Sequence, residues 1–148
     1  MKIPLVVALA GLAISFALPT FAQGQNTVDP EVRQQIEAVL MKFDEAYNKN
    51  DAAAIAALYT QDAVRVMSWE SEGGLASGQQ AIEKWFAVQF ASSPGNASHK
   101  LLQVYPVGNE ICAITEWSFP PFSNKKLGVR IYARDADTWK IRMDYVTE

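Results

Sequence analysis

Polar and apolar positions fall into two rhythms along this chain. Val32, Ile36, Val39, Leu40, Phe43 and Tyr47 recur at three- and four-residue steps, the period of one helix face. Asp29 suits the N-cap, Pro30 the first helical position, and Glu31 sets negative charge at the positive end of the helix dipole. Asn48-Lys49-Asn50 stops that helix, because asparagine tolerates the left-handed cap position. Asp51 caps a short alanine-rich second helix running to Tyr59, with Ile55, Leu58 and Tyr59 on one face. Thr60-Gln61-Asp62 predicts a turn, residues 63–68 a strand, and 70–78 a glycine-containing loop. Gln79 to Phe90 predicts a third helix that buries Ile82, Trp85, Phe86 and Phe90.

After Ser92 the period becomes two, the mark of strands. Strands are expected over 101–107, 111–119, 127–134 and 139–146, with turn residues between them. Alternation picks an inner face of Ala113, Thr115, Trp117 and Phe119, then Leu127, Val129, Ile131 and Ala133, then Trp139, Ile141, Met143 and Tyr145. The other face then carries Glu116, Arg130, Tyr132, Arg134, Lys140, Arg142 and Asp144, a charged ladder that is either solvated or a polar homodimer interface. Helices first and antiparallel strands after make an α+β fold, with three N-terminal helices packed on a mostly antiparallel sheet.

The N-terminus follows neither rhythm. Lys2 precedes an uncharged apolar run from Ile3 to Leu18, broken by Pro19 and followed by Thr20-Phe21-Ala22. This is the pattern of a secretory signal peptide cleaved after Ala22, and the run is at or below the roughly 17–25 residues that span a bilayer. The expected organisation is a signal peptide (1–22), a leader (23–28) and one domain (29–148), exported to a periplasm or secreted and free of the membrane after cleavage. A net charge of −3 argues against nucleic acid as a partner. Cys112 is the single cysteine and His99 the single histidine. The first cannot form a disulfide within its chain, and the second lacks a partner at ligand spacing, so neither a metal nor another cofactor is expected.

The stretch FDEAYNKNDAAAIAALYTQDAVRV, then SGQQAIEKWF, then the closing TWKIRMDYVTE resemble the nuclear-transport-factor-2-like superfamily, also called SnoaL-like or ketosteroid-isomerase-like. The resemblance implies a cone, a curved sheet wrapped on the helices with an apolar pocket at its open end. It does not decide activity, because that fold hosts isomerases, dehydratases, epoxide hydrolases, polyketide cyclases and non-catalytic binding domains. Its ketosteroid isomerases keep a base on the first strand, where this chain has Met67. Their oxyanion tyrosine matches Phe43, and their neutral aspartic acid falls at or near Ile131. Histidines common on the closing strand are replaced by Met143 and Tyr145. The resemblance thus implies the container without the isomerase mechanism.

Asp44 borders the apolar face of helix one and is the best single candidate for an acid–base group. Arg65 depends on register. Family register turns Arg65, Met67 and Trp69 inward, whereas simple alternation buries Val64 and Val66 instead. An inward Arg65 would suit a carboxylate or sulfate. The ligand set expected is Phe43, Tyr47, Arg65, Met67, Trp69, Trp117 and Tyr145, around a small apolar or aromatic molecule. The alternatives are a small-molecule isomerase, hydrolase or cyclase of the same fold, and a dimerisation or protein-interaction module.

Overall fold

The computed structural model describes residues 28–68, 74–93, 95–119 and 122–147. The expected signal peptide, its cleavage site and most of the leader lie outside the described residues. Helix α1 spans Pro30–Asn48, and the Asp29 carboxylate accepts from the Glu31 backbone N–H at 2.8 Å. Helix α2 is shorter than expected, Ala52–Ala56, with Asp51 accepting from the Ala54 N–H at 2.9 Å. Strand β1, Tyr59–Met67, takes in the residues expected to turn. Strand β2, Gly74–Ser77, falls where a loop was expected. Helix α3 is Gln79–Ser92, followed by β3 (Ser98–Val107), β4 (Glu110–Phe119), β5 (Phe122–Asp135) and β6 (Thr138–Val146).

The six strands form one sheet in the order β2-β1-β6-β5-β4-β3. Every neighbouring pair is antiparallel except β1 with β6, which is parallel. The helices lie on one face. There Ile36, Phe43, Ile55, Tyr59, Ile82, Phe86, Tyr132 and Ile141 form the centre of a continuous core. Removing that apolar surface from water is the main force assembling the domain.

The inner face of the sheet differs from simple alternation in two strands. Ile131 pairs with Met143 but Tyr132 pairs with Ile141, so Arg142 is an extra residue in β6. Such a bulge moves every later side chain to the opposite face. Trp139 and Ile141 are buried before it, and Asp144 and Val146 after it. Met143 is left 41% exposed and Tyr145 shares its outward phase, which corrects the inward expectation for both. In β5 the buried residues are Gly128, Arg130 and Tyr132, while Leu127 and Val129 are exposed. The charged ladder expected outside therefore loses Arg130, Tyr132 and Asp144 to the interior. The outer face carries apolar Leu127, Val129 and Met143 instead. Arg130 and Asp144 go inward together because each supplies the other's counter-charge, which neither apolar neighbour could do.

Candidate functional site

Three charged residues lie in one row across the middle of the sheet. Arg65 on β1 is the register partner of Asp144 on β6, which is also the register partner of Arg130 on β5. Their exposures are 5%, 1% and 2%. Ions taken out of water at such depth must be paired and hydrogen-bonded. The Asp144 carboxylate meets that demand. Its Oδ2 accepts from Arg65 Nη1 and, at 2.7 Å, from the Tyr59 hydroxyl, and its Oδ1 accepts from Arg130 Nε at 3.1 Å. Burial alone would raise the Asp144 carboxyl, but the Arg130 and Arg65 guanidiniums outweigh it and bring it to about 2. Burial, aided by the Asp144 charge, pushes the Tyr59 hydroxyl up. Burial also works against the Arg130 cation, and Asp144 reverses that, so Arg130 is held charged more firmly than in water.

Aromatic rings enclose both guanidiniums. Arg65 Cζ lies 4.8 Å from the ring centres of Trp85 and Phe86, and Arg130 Cζ lies 4.2 Å from that of Phe43. A desolvated cation over a ring face is attracted by the ring quadrupole. Among the described residues, Arg65 Nε is buried without a hydrogen-bond partner. Burial pushes the Tyr132 hydroxyl up, and the neighbouring Arg130 guanidinium, within hydrogen-bonding reach, works against that rise.

The row continues sideways to a histidine and a second carboxylate. Arg130 Nη2 lies 3.3 Å from His99 Nε2. A guanidinium only donates, so Nε2 is the acceptor and the ring proton sits on Nδ1. Nδ1 donates to Asp44 Oδ1, and Asp44 Oδ2 accepts from the His99 backbone N–H at 2.9 Å. The imidazole is edge-on to Phe43 at 5.3 Å and parallel to Trp117 at 6.4 Å. Burial lowers the His99 pKa below its usual value, and Arg130 lowers it further, against opposition from Asp44. The ring is therefore neutral at neutral pH. The result is a relay of alternating groups, Arg65–Asp144–Arg130–His99–Asp44, drawn from β1, β6, β5, β3 and α1.

The expected site residues divide. Arg65 and Met67 point inward, as family register requires, and Phe43 lies beneath Arg130. Trp117 stacks on His99. Asp44 is fixed by His99 instead of standing alone at the rim. Tyr47 is buried against Phe43, Phe86 and Phe90. Its ring lies so close to Gly95 that a Cβ there would sit 2.4 Å from Cε1, and its hydroxyl is near enough to feel the Arg65 charge. Tyr145 is on the outer side of β6, away from the relay. Trp69 lies outside the described residues. Sequence reasoning missed Tyr59, His99, Arg130, Tyr132 and Asp144 as interior polar groups. A separate surface cleft of about 380 Å³ lies between α1 and the β5–β6 turn, lined by Val39, Lys42, Leu58, Thr138 and Trp139 among others; no relay residue lines it.

Comparison with known proteins gives a family and a fold. The family model for the SnoaL-like domain matches residues 40–148. A cystatin-like domain of unknown function from Nostoc punctiforme superposes with a TM-score of 0.67 at 15% identity, over 81% of this chain and 78% of that one. A protein of unknown function from Pseudomonas putida, described as NTF2-like, gives 0.66 at 14% identity, over 82% and 89% of the two chains. Another such protein from Shewanella oneidensis gives 0.64 at 15%, over 79% and 99%. No curated protein matches the chain. The architecture, the order of its elements and the match over most of its length agree, and the chain belongs to the SnoaL-like domain family.

Proposed function

We propose that the interior of this domain binds a small apolar or aromatic molecule whose polar group meets the guanidinium row. One observation carries the reading: Arg65 and Arg130 are buried beside aromatic rings, and Arg65 Nε has no hydrogen-bond partner among the described residues. A buried donor left unmade costs about 1–3 kcal/mol. Well-packed apolar residues of similar volume often replace a buried ion pair at little loss of stability. Charged donors kept among aromatic rings instead suit a ligand with an apolar body and an anionic end, the usual make-up of a small-molecule site. Trp85 beside Arg65 and Trp117 beside His99 are built-in reporters. Titration with aromatic carboxylates is expected to change tryptophan fluorescence saturably, with the matching amides weaker and Arg65→Met insensitive. A flat response to every member of the series overturns the reading.

A second reading rests on the Asp44–His99 pair. A neutral imidazole oriented by a carboxylate can move a proton, which would make the domain an isomerase, hydrolase or cyclase. Asp44→Asn should then abolish turnover, and an unchanged rate removes this reading. We further propose that the domain is exported after cleavage at Ala22, to be checked by the N-terminal sequence of the mature chain. Two copies would pair through the outer face at Leu127, Val129 and Met143; a monomer by light scattering excludes that pairing.

A further inference from the structure

The charges of the relay limit what the interior can accept. Arg65 and Arg130 are cations, Asp144 and Asp44 are carboxylates, and His99 is neutral, so the buried group is balanced. An anionic ligand would add one uncompensated negative charge at a site where such charge is costly. One group within reach can compensate. Three elements bring charge to His99: Asp44 from α1, Arg130 from β5 and Asp144 from β6. Strand β4 sets the Trp117 ring against it.

Donors cluster where the anion would go. Arg130 and the Tyr132 hydroxyl sit on the same face of β5, both buried, with the hydroxyl within reach of the guanidinium. Arg130 Nη2 donates to His99 Nε2. A proton on Nε2 ends that bond, because both atoms would then carry hydrogen. It frees Nη2 beside Nη1 as a two-pronged fork for a carboxylate. The new Nε2–H is a further donor, and Asp44 on Nδ1 already faces the imidazolium. We propose that Arg130, Tyr132 and His99 form an acid-group subsite that takes a ligand carboxylate together with one proton on His99. The proposal rests on the ligand-binding reading above and specifies its chemistry.

The test uses the whole domain and a panel of carboxylates that stay ionised throughout, such as 2-naphthoate and 3-phenylpropionate, titrated calorimetrically. Their Kd should rise by up to about tenfold per pH unit between about pH 6 and pH 8, since linkage makes proton and ligand raise each other's affinity equally. Titration near pH 7.5 in two buffers of different ionisation heat should show proton uptake approaching one per ligand. The chain has a single histidine, so its imidazole NMR signals need no assignment and should move toward imidazolium on saturation. His99→Gln, folded by circular dichroism, should bind more weakly with a flat pH profile. Binding by wild type without pH dependence, proton uptake or an imidazole shift overturns the subsite and leaves the ligand reading intact. Absence of binding by every member at every pH removes both. If His99→Gln does not fold, the calorimetric and NMR arms on wild type decide alone.

Discussion

Arg65, Asp144 and Arg130 lie on three neighbouring central strands, each almost fully covered. His99 and Asp44, joined to them through Arg130, come from the edge strand β3 and from α1, and the Asp44 side chain keeps 20% of its exposure. The two ends of one relay therefore live under different rules. At the deep end every charge is fixed, because neither a guanidinium nor a carboxyl held at about 2 changes state in ordinary conditions. At the shallow end a neutral ring sits between a carboxylate and a cation, where one proton changes the bonding pattern. The deep end locks the sheet, and the shallow end can respond.

The largest effect should come from breaking the lock on one side only. Asp144→Ala leaves two buried guanidiniums without their carboxylate and should cost about 3–5 kcal/mol by urea unfolding. Replacing the row as a whole, Arg65→Met with Asp144→Leu and Arg130→Met, should cost far less, because no charge is stranded. If the single and triple changes cost the same, charge pairing is not what the row supplies.

Acid should separate the two ends by pH. The His99 pKa is lowered on folding, so the fold favours the neutral ring. Its contribution is whole above the unfolded value of about 6.5 and is lost as pH falls through the lower folded value. The Asp144 pKa is also lowered, from 3.8 to about 2. Its contribution, about 2 kcal/mol, is present above about pH 4 and lost toward about pH 2. Urea midpoints taken from about pH 7 downward should fall in two steps, and His99→Gln should remove the first alone. A single step would mean that the ends titrate as one unit.

Breaking the shallow end should cost less. Asp44→Ala removes one bond to a backbone N–H and one to an imidazole, at about 1–2 kcal/mol. It should also lower the His99 pKa further, since Asp44 opposes the shift. An imidazole titration reads that directly. A rise instead of a fall would show that Asp44 does not face the ring in solution.

Much of this frame was legible in the sequence, and the relay was not. Asp29 and Asp51 announced two helix starts because a cap needs only local chemistry. Strand existence followed from period two. The inward turn of Arg65 was legible only through family register, since its neighbours Val64 and Val66 offer an equally regular alternation. Strand β2 is four residues long and carries little pattern. The deeper failure lies at Arg142. A bulge leaves no compositional mark, yet it reverses the phase of everything after it, and so Asp144 was assigned to solvent and Tyr145 to the pocket. The arginine partners of Asp144 lie 79 and 14 residues away in the chain. Neither spacing is a motif, because the sheet order alone brings those positions together.

The smallest effect should come from an ion pair that looks strong by distance. Lys49 Nζ lies 2.6 Å from Glu45 Oε1 on α1, closer than the 3.1 Å between Arg130 Nε and Asp144 Oδ1. The side chains of the first pair are 67% and 65% exposed, those of the second 3% and 1%. Water already solvates Lys49 and Glu45, so their attraction is screened and the order imposed on two long side chains offsets it. Lys49→Ala should leave the urea midpoint unchanged within error, at low and high salt alike. A clear drop that salt abolishes would show that proximity outweighs burial in this protein. The contrast between its sealed and solvated charges would then lose its basis.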